Sequence, residues 1–455
     1  MKRCISLLMS IILLVSVFVG TMSASTVSAA PSLIGDIDGD RELSTSDVRV
    51  YLQNIAVGGA WTSAQKTVGD FDGNGAIATT DARNILTYLL NEKVEKEAVR
   101  GFWIPYMEVE EMIYNKTAAN ARAAINACFD DCKAKGANTI YFHVRANSDA
   151  YYKSSYFNAN PKAASLLNQG FDPLAVAVEL AHAKGMKIEA WINPYRIGTD
   201  ASRAKVNATF LFENRYYYVP SNKDVQKLVV NGVKEIVDNY DVDGVQFDDY
   251  FYPKNSVSAT AVSSFEQSDY NTYKNNGGTL GVADWRRSVV NELVASVYDV
   301  CHTKPNCVFG ISPSCNFTAN YDQMYADAAH WAKYPGYVDY LAPQLYVGFN
   351  HASTPYEQCI KDWDALPRRD SVQMIAGLAL YKTGLKDDTW AGTNARTEWL
   401  NNSNMMARQI TMAKSLGWDG IGFYSHQSFT VDSTRDATVA KKDMTSACEA
   451  WLTFQ

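Results

Sequence analysis

The chain has 455 residues, 47% of them hydrophobic, and a formal net charge of −7, which is long and apolar enough for more than one domain with a buried core. Its Lys and Arg residues are scattered rather than clustered, which argues against nucleic acid or an anionic membrane as a partner. The 27 Tyr and 10 Trp residues suit either sugar stacking or ordinary core packing, and composition does not separate the two.

Residues 1–29 open with Lys2 and Arg3, continue with the apolar run ISLLMSIILLVSVFVG, and end in Val27-Ser28-Ala29. A basic start, a short apolar stretch and small residues before the cut predict a secretory signal peptide. Its loss removes two positive charges and leaves about −9. No second long apolar run follows, so the mature chain is expected to be soluble and extracellular.

Two acidic segments come next, GDIDGDRELSTSD ending at Asp47 and GDFDGNGAIATTD ending at Asp81, and each leads into an apolar helical pattern. Asp36, Asp38, Asp40 and Asp47 occupy positions 1, 3, 5 and 12 of the first loop, and Asp70, Asp72, Asn74 and Asp81 repeat them in the second. That is the oxygen spacing by which a loop wraps calcium, with position 7 (Glu42, Ala76) contributing a backbone carbonyl. Arg41 stands at position 6 of the first loop where Gly75 stands in the second, so a weaker first site is expected. Asp rather than Glu at position 12, with Gly35 or Gly69 before the loop, distinguishes the pair from an EF-hand. The repeat over residues 33–92 resembles a type I dockerin. The resemblance implies two calcium ions, a cohesin domain of a scaffold protein as partner, and cohesin selection by Thr45, Ser46, Thr79 and Thr80.

After a linker at residues 93–99, residues 100–455 alternate short apolar strands with amphipathic helices. The strands are expected at 101–104, 139–144, 187–193, 244–248, 308–312, 338–346, 374–380 and 420–425. Intervening helices such as AANARAAINACFDDCKAKG and DPLAVAVELAHAKG close on Gly. Eight strand and helix units predict a (β/α)8 TIM barrel. A doubly wound sheet is the alternative, but no GxGxxG follows the first strand. The seven cysteines beyond residue 29 show no CxxC spacing and read mostly as free, packed thiols, with a Cys301 to Cys307 bridge as the other possibility.

A barrel's active face lies at the strand C-termini, and there the sequence gathers Arg145, Asp149, Asn193, Arg196, Asp248, Asp249, Ser312, Asn316, Gln344, Tyr346, Tyr424 and His426. Alternation along DGVQFDDYFYP sends Gln246 and Asp248 inward and Phe247 and Asp249 outward. This segment, with RGFW, VRANSDAYY, DPLAVAVELAHAKGMKIEAWINPYR and GISPS, resembles the glycosyl hydrolase-like family 10 domain over most of residues 100–430. The resemblance implies a glycosidase distantly related to the alpha-amylase group, whose DGxRxD pattern is met at Asp243, Gly244 and Asp248, with Gln246 in place of Arg. That group also takes an acid from a strand-five Glu, which GISPS lacks.

Glycoside hydrolysis normally uses two carboxyl groups. Asp248 is the expected nucleophile or base, Asp149 the expected acid, and Asp249 the remaining contender. Arg145, Trp191, Asn193, Arg196, Gln344, Tyr346 and His426 are expected to bind substrate. No cofactor is expected for the chemistry. The expected substrate is a polysaccharide or a peptidoglycan glycan. A non-catalytic glycan-binding barrel is the competing reading.

Overall fold

The computed structural model describes residues 34–39, 43–71, 76–92 and 97–454, and the chain divides at Lys93 and Val94 into two compact units. The signal peptide expected at 1–29 lies outside the described residues, as do Asp40, Glu42, Asp72, Asn74 and linker residues 93–96.

In the first unit, Thr45–Ala56 and Thr79–Glu92 are helices. Both follow their loops as the repeat requires. The first starts with a capping box in which Ser44 accepts from the Ser46 N–H while Asp47 reaches back to the Ser44 N–H, satisfying donors that a helix start leaves open. Ile37, Val48, Tyr51, Ala82 and Ile85 pack as a small core.

The second unit is a closed parallel barrel of eight strands in sequential order. They are β1 Val99–Ile104, β2 Thr139–Arg145, β3 Lys187–Ile192, β4 Gly244–Phe247, β5 Val308–Ile311, β6 Tyr340–Leu341, β7 Gln373–Ala379 and β8 Gly420–Tyr424. Closure excludes the doubly wound alternative: β1 pairs with β2 on one side and with β8 on the other, Val99 opposite Gly420. β6 is much shorter than 338–346. Pro343 has no N–H to donate to a ladder, and beyond Leu341 only isolated bridges join Gln344 to Ser314 and Gly377.

Helices cover the barrel because their apolar residues recur at helical spacing. Lys223–Asn239, capped by Asn222, buries Val225, Leu228, Val229, Val233 and Ile236 and delivers the chain to β4. Gly136, Gly185 and Gly417 end their helices with positive φ of 91°, 62° and 75°, a conformation costly for residues with a Cβ. Among the described residues no helix is long and apolar enough to cross a membrane.

Inside the barrel the filling is aromatic and polar. Trp103, Tyr141, Trp191 and Tyr340 cluster with Ala342 and Ile375, and Gly310 and Gly422 leave the room that the Tyr340 and Trp103 rings fill. Gln246 accepts from Trp103 Nε1 at 2.5 Å and donates to the Tyr340 hydroxyl at 2.8 Å. Tyr340 in turn donates to Glu189 Oε2 at 2.5 Å. Burial holds Glu189 up at about 8, so at neutral pH this layer is mainly uncharged. It forms the floor on which the strand-end residues stand.

Candidate functional site

β4 ends at Phe247, so the alternation that would turn Asp249 away from the interior stops before the two acids. Phe247 packs outward against Phe309 at 5.2 Å between ring centroids, and the chain then leaves the strand. Asp248 is 3% exposed. Its Oδ1 accepts from the Tyr250 N–H at 3.1 Å and its Oδ2 from Trp191 Nε1 at 3.3 Å. Gln344, beyond β6, lies close enough to favour the ionised form of Asp249, while its Nε2 donates to the Ser312 carbonyl at 3.0 Å. The expected outward orientation of Asp249 is therefore corrected: both acids belong to one charged neighbourhood at the mouth of the barrel.

Their electrostatics follow from that crowding. Burial, then the charge of Asp249, raises Asp248 well above the ordinary carboxylate range, against the bonds from Tyr250 and Trp191 and the field of Arg196. Burial raises Asp249 to about 6, against its own backbone N–H, Gln344 and Arg196. Two neighbouring carboxylates with too few counter-charges cannot both ionise freely. Near neutrality the pair therefore retains a proton, and the titration belongs to the pair.

An aromatic wall surrounds the two acids. Trp191 stacks on His143 at 3.6 Å and 14°. His143 Nδ1 accepts from the Tyr106 N–H at 3.3 Å, which leaves Nε2 to donate to Asn193 Oδ1 at 2.9 Å. Burial keeps His143 neutral against the Asn193 bond, and Arg196 and Arg145 add to the effect. Tyr424 lies 6.3 Å from Trp191 and 5.5 Å from Tyr346, and Tyr381 lies 6.0 Å from both tyrosines. Arg196 sits 5.0 Å over the Tyr250 ring, carried by the short strand Arg196–Gly198 of a three-stranded sheet with Thr209–Phe212 and Arg215–Tyr218. From Tyr346 and Tyr381 a cleft of about 450 Å³ runs past His351, Lys382 and Asp388 to Trp390, whose ring is 84% exposed.

Arg196, Trp191, Gln344 and Tyr346 thus gather around Asp248 and Asp249. The other expected residues serve elsewhere. Asn193 is fully buried and spans His143 and the Ala146 carbonyl, so it positions the Trp191 support instead of meeting a sugar. Arg145 is 1% exposed over the Phe157 ring, within the fields of Asp248 and Asp149. Asp149 is tied to the segment after β3 by Arg203 and within its own loop by Asn160 Nδ2 at 3.2 Å. His426 leaves the site altogether: its ring lies between Glu108 and Asp131 beside Cys128, because the chain after Tyr424 turns outward beneath the first helices.

Sequence reasoning missed His143, Tyr381, Lys382 and Trp390 as site residues. Tyr381 and Lys382 directly follow β7, so the strand-end rule that found Gln344 applied to them as well. His143 sits on β2 among apolar residues and gives no such signal.

The loops of the first unit mirror one another. Asp47 Oδ1 accepts from the Ile37 N–H at 2.8 Å and Oδ2 from the Ser44 N–H at 2.8 Å. Asp81 Oδ1 accepts from the Phe71 N–H at 2.7 Å and Oδ2 from the Ala78 N–H at 2.7 Å. Carboxylate oxygens of Asp36, Asp38 and Asp47 lie within 4.8 Å of one another, and burial, with Asp38 contributing, raises Asp47 despite its backbone donors. An all-oxygen set under mutual repulsion fits a hard divalent cation.

The family model of glycosyl hydrolase-like 10 matches residues 98–392, which span β1 to β7 and the cleft as far as Trp390. The chain belongs to the glycosyl hydrolase-like 10 family. Glycosyl hydrolase DigH of Escherichia coli K12 is 29% identical over 334 residues, covering 63% of this chain and 74% of that protein. Glycosyl hydrolase YngK of Bacillus subtilis 168 is 31% identical over 318 residues, covering 63% of this chain and 59% of that protein. The PgaB (BpsB) glycoside hydrolase domain from Bordetella bronchiseptica superposes with a TM-score of 0.52 at 13% identity, covering 78% of this chain and 99% of that one, and supports the barrel fold.

Proposed function

We propose that this glycosyl hydrolase-like 10 chain is a secreted, scaffold-docked glycoside hydrolase in which Asp248 and Asp249 are the catalytic pair. The observation that carries the reading is the buried Asp248 beside the half-buried Asp249 at the barrel mouth, walled by Trp191, Tyr346 and Tyr424. General acid chemistry near neutral pH needs a carboxyl that keeps its proton, and nucleophile or base chemistry needs one that has lost it. Burial and mutual repulsion separate those states within the pair. Asp249 therefore replaces Asp149 as the second carboxyl, while Asp149 and Arg203 brace the loop after β2. Gln344 orients Asp249, Trp191 orients Asp248, and Arg196 offsets part of their charge.

The test is hydrolysis of a panel of polysaccharides and bare peptidoglycan glycan strands by the full chain. Product release that disappears in Asp248→Asn is expected. Saturable glycan binding without turnover would instead favour the non-catalytic barrel, and undiminished turnover in Asp248→Asn would refute the assignment.

The repeated loops support the docking part of the reading. Asp36, Asp38 and Asp47 in one loop and Asp70 and Asp81 in the other would hold calcium, with Asp40, Glu42, Asp72, Asn74 and Ala76 completing the two sets. The ions would order residues 35–91 for a cohesin domain. Calorimetry on the full chain is expected to register two calcium binding events and calcium-dependent capture by a cohesin. Absence of calcium uptake would refute this part without touching the first.

A further inference from the structure

Just beyond the ends of β1 and β8, four side chains able to ligate a metal come together. Cys128 and Cys132 lie one turn apart on the helix Ala118–Ala134, Glu108 on the helix Tyr106–Ile113, and His426 immediately after β8. The Cys128 and Cys132 sulfurs and a His426 ring nitrogen are all within 4.8 Å of one another. His426 Nδ1 stands 3.4 Å from Cys128 Sγ, and Glu108 Oε1 stands 3.7 Å from the same sulfur and in contact with Nδ1. In a tetrahedral zinc centre, bond lengths of roughly 2.0 to 2.3 Å put neighbouring donor atoms roughly 3.3 to 3.8 Å apart; both separations from Cys128 Sγ fall in that range, while Glu108 Oε1 and His426 Nδ1 stand closer as a hydrogen-bonded pair, so Glu108 must shift off Nδ1 when the ion binds.

We propose that Cys128, Cys132, His426 and Glu108 form a structural zinc site. Two soft thiolates with an imidazole and a carboxylate select zinc over calcium or magnesium. The surroundings match what such a site needs. Nε2 of His426 faces Asp131 Oδ2 at 2.9 Å, so Nδ1 is the nitrogen free to bind metal once its proton leaves. Asp131 is paired with Lys135, and Glu108 Oε2 accepts from the Gln427 N–H at 3.1 Å, which fixes both carboxylates. Cys128 is 8% exposed, Cys132 fully buried and Glu108 6% exposed, and all four positions are filled by protein, which marks a structural centre rather than a catalytic one. Binding displaces the two thiol protons and the Nδ1 proton to solvent, and zinc is neither oxidised nor reduced. Because β8 and β1 are the pair that closes the barrel, an ion joining His426 to the first two helices would clamp that seam.

The experiment uses the full chain, reduced, stripped with chelator and titrated with cobalt(II). Expected are a near-ultraviolet thiolate-to-cobalt band and visible bands of tetrahedral cobalt, both lost when zinc is added, and a zinc-dependent rise in Tm. The double variant Cys128→Ser/Cys132→Ser should lose the thiolate band, and His426→Gln should weaken zinc retention while keeping some thiolate absorption. A chain without the band, or a band undiminished in the double variant, would overturn the site. If the double variant fails to fold, an unchanged wild-type Tm with and without zinc overturns it equally.

Discussion

Replacing Asp249 with Asn is expected to abolish catalysis and to stabilise the barrel. A carboxyl that titrates at 3.8 in the open chain and at about 6 in the fold is favoured by the fold in its protonated form by about 3 kcal/mol. That contribution is present below about pH 4, fades as pH rises toward about 6, and is absent above it, because ionisation puts a charge where burial and Asp248 oppose it. Asparagine cannot ionise, so the variant escapes the penalty. Relative to wild type, Asp249→Asn should be about equally stable near pH 4 and about 1 to 3 kcal/mol more stable above about pH 7. Urea unfolding followed by tryptophan fluorescence across that range measures the gap, while kcat/KM should fall by roughly 10² to 10⁴. A variant that is less stable than wild type at neutral pH, or a gap that does not open with pH, would refute a strained carboxyl at this position.

Asp149→Asn removes the ion pair with Arg203 and should cost about 1 to 3 kcal/mol of stability while leaving kcat/KM within about tenfold of wild type; a loss as large as that of Asp248→Asn would restore Asp149 as the acid. Trp390→Ala should raise KM for a polymeric substrate by about three- to tenfold with kcat unchanged, and leave a short aryl glycoside unaffected; equal effects on both substrates would show that the cleft holds no distant sugar. Asp81→Asn should eliminate the tighter of two calcium binding events seen by calorimetry, since the first loop carries Arg41; loss of the weaker event instead would reverse the ranking of the loops.

The architecture was readable because each barrel strand is a short apolar run bounded by turn residues, and all eight runs became strands. β6 was overextended most, since an apolar sequence continues past Pro343 where ladder bonding stops, while β3, β4, β5, β7 and β8 each stop one residue short of the expected end. Reading the site was harder at the point where strand alternation ends. The rule that sent Asp249 outward is valid only as far as Phe247, and no pattern in the sequence marks that last residue. His426 failed for a related reason: extrapolating β8 past Tyr424 gave it an inward direction that the chain does not keep. The Cys128, Cys132 and His426 cluster was invisible for a different cause. Its ligands lie about 300 residues apart, and only barrel closure brings the end of the chain beside the first helices.

A neutral Gln246 beneath Asp248 helps explain why this pair of acids favours a shared proton. A cation beneath Asp248 would stabilise both carboxylates and hold them ionised. Here the position below is filled by a neutral chain from Trp103 through Gln246 and Tyr340 to Glu189, itself held up at about 8. The cations are lateral: Arg196 acts on both acids but does not outweigh burial, and Arg145 is buried over Phe157. A neutral floor lets the second carboxyl be the adjacent residue, because one of the two retains its proton without help from elsewhere.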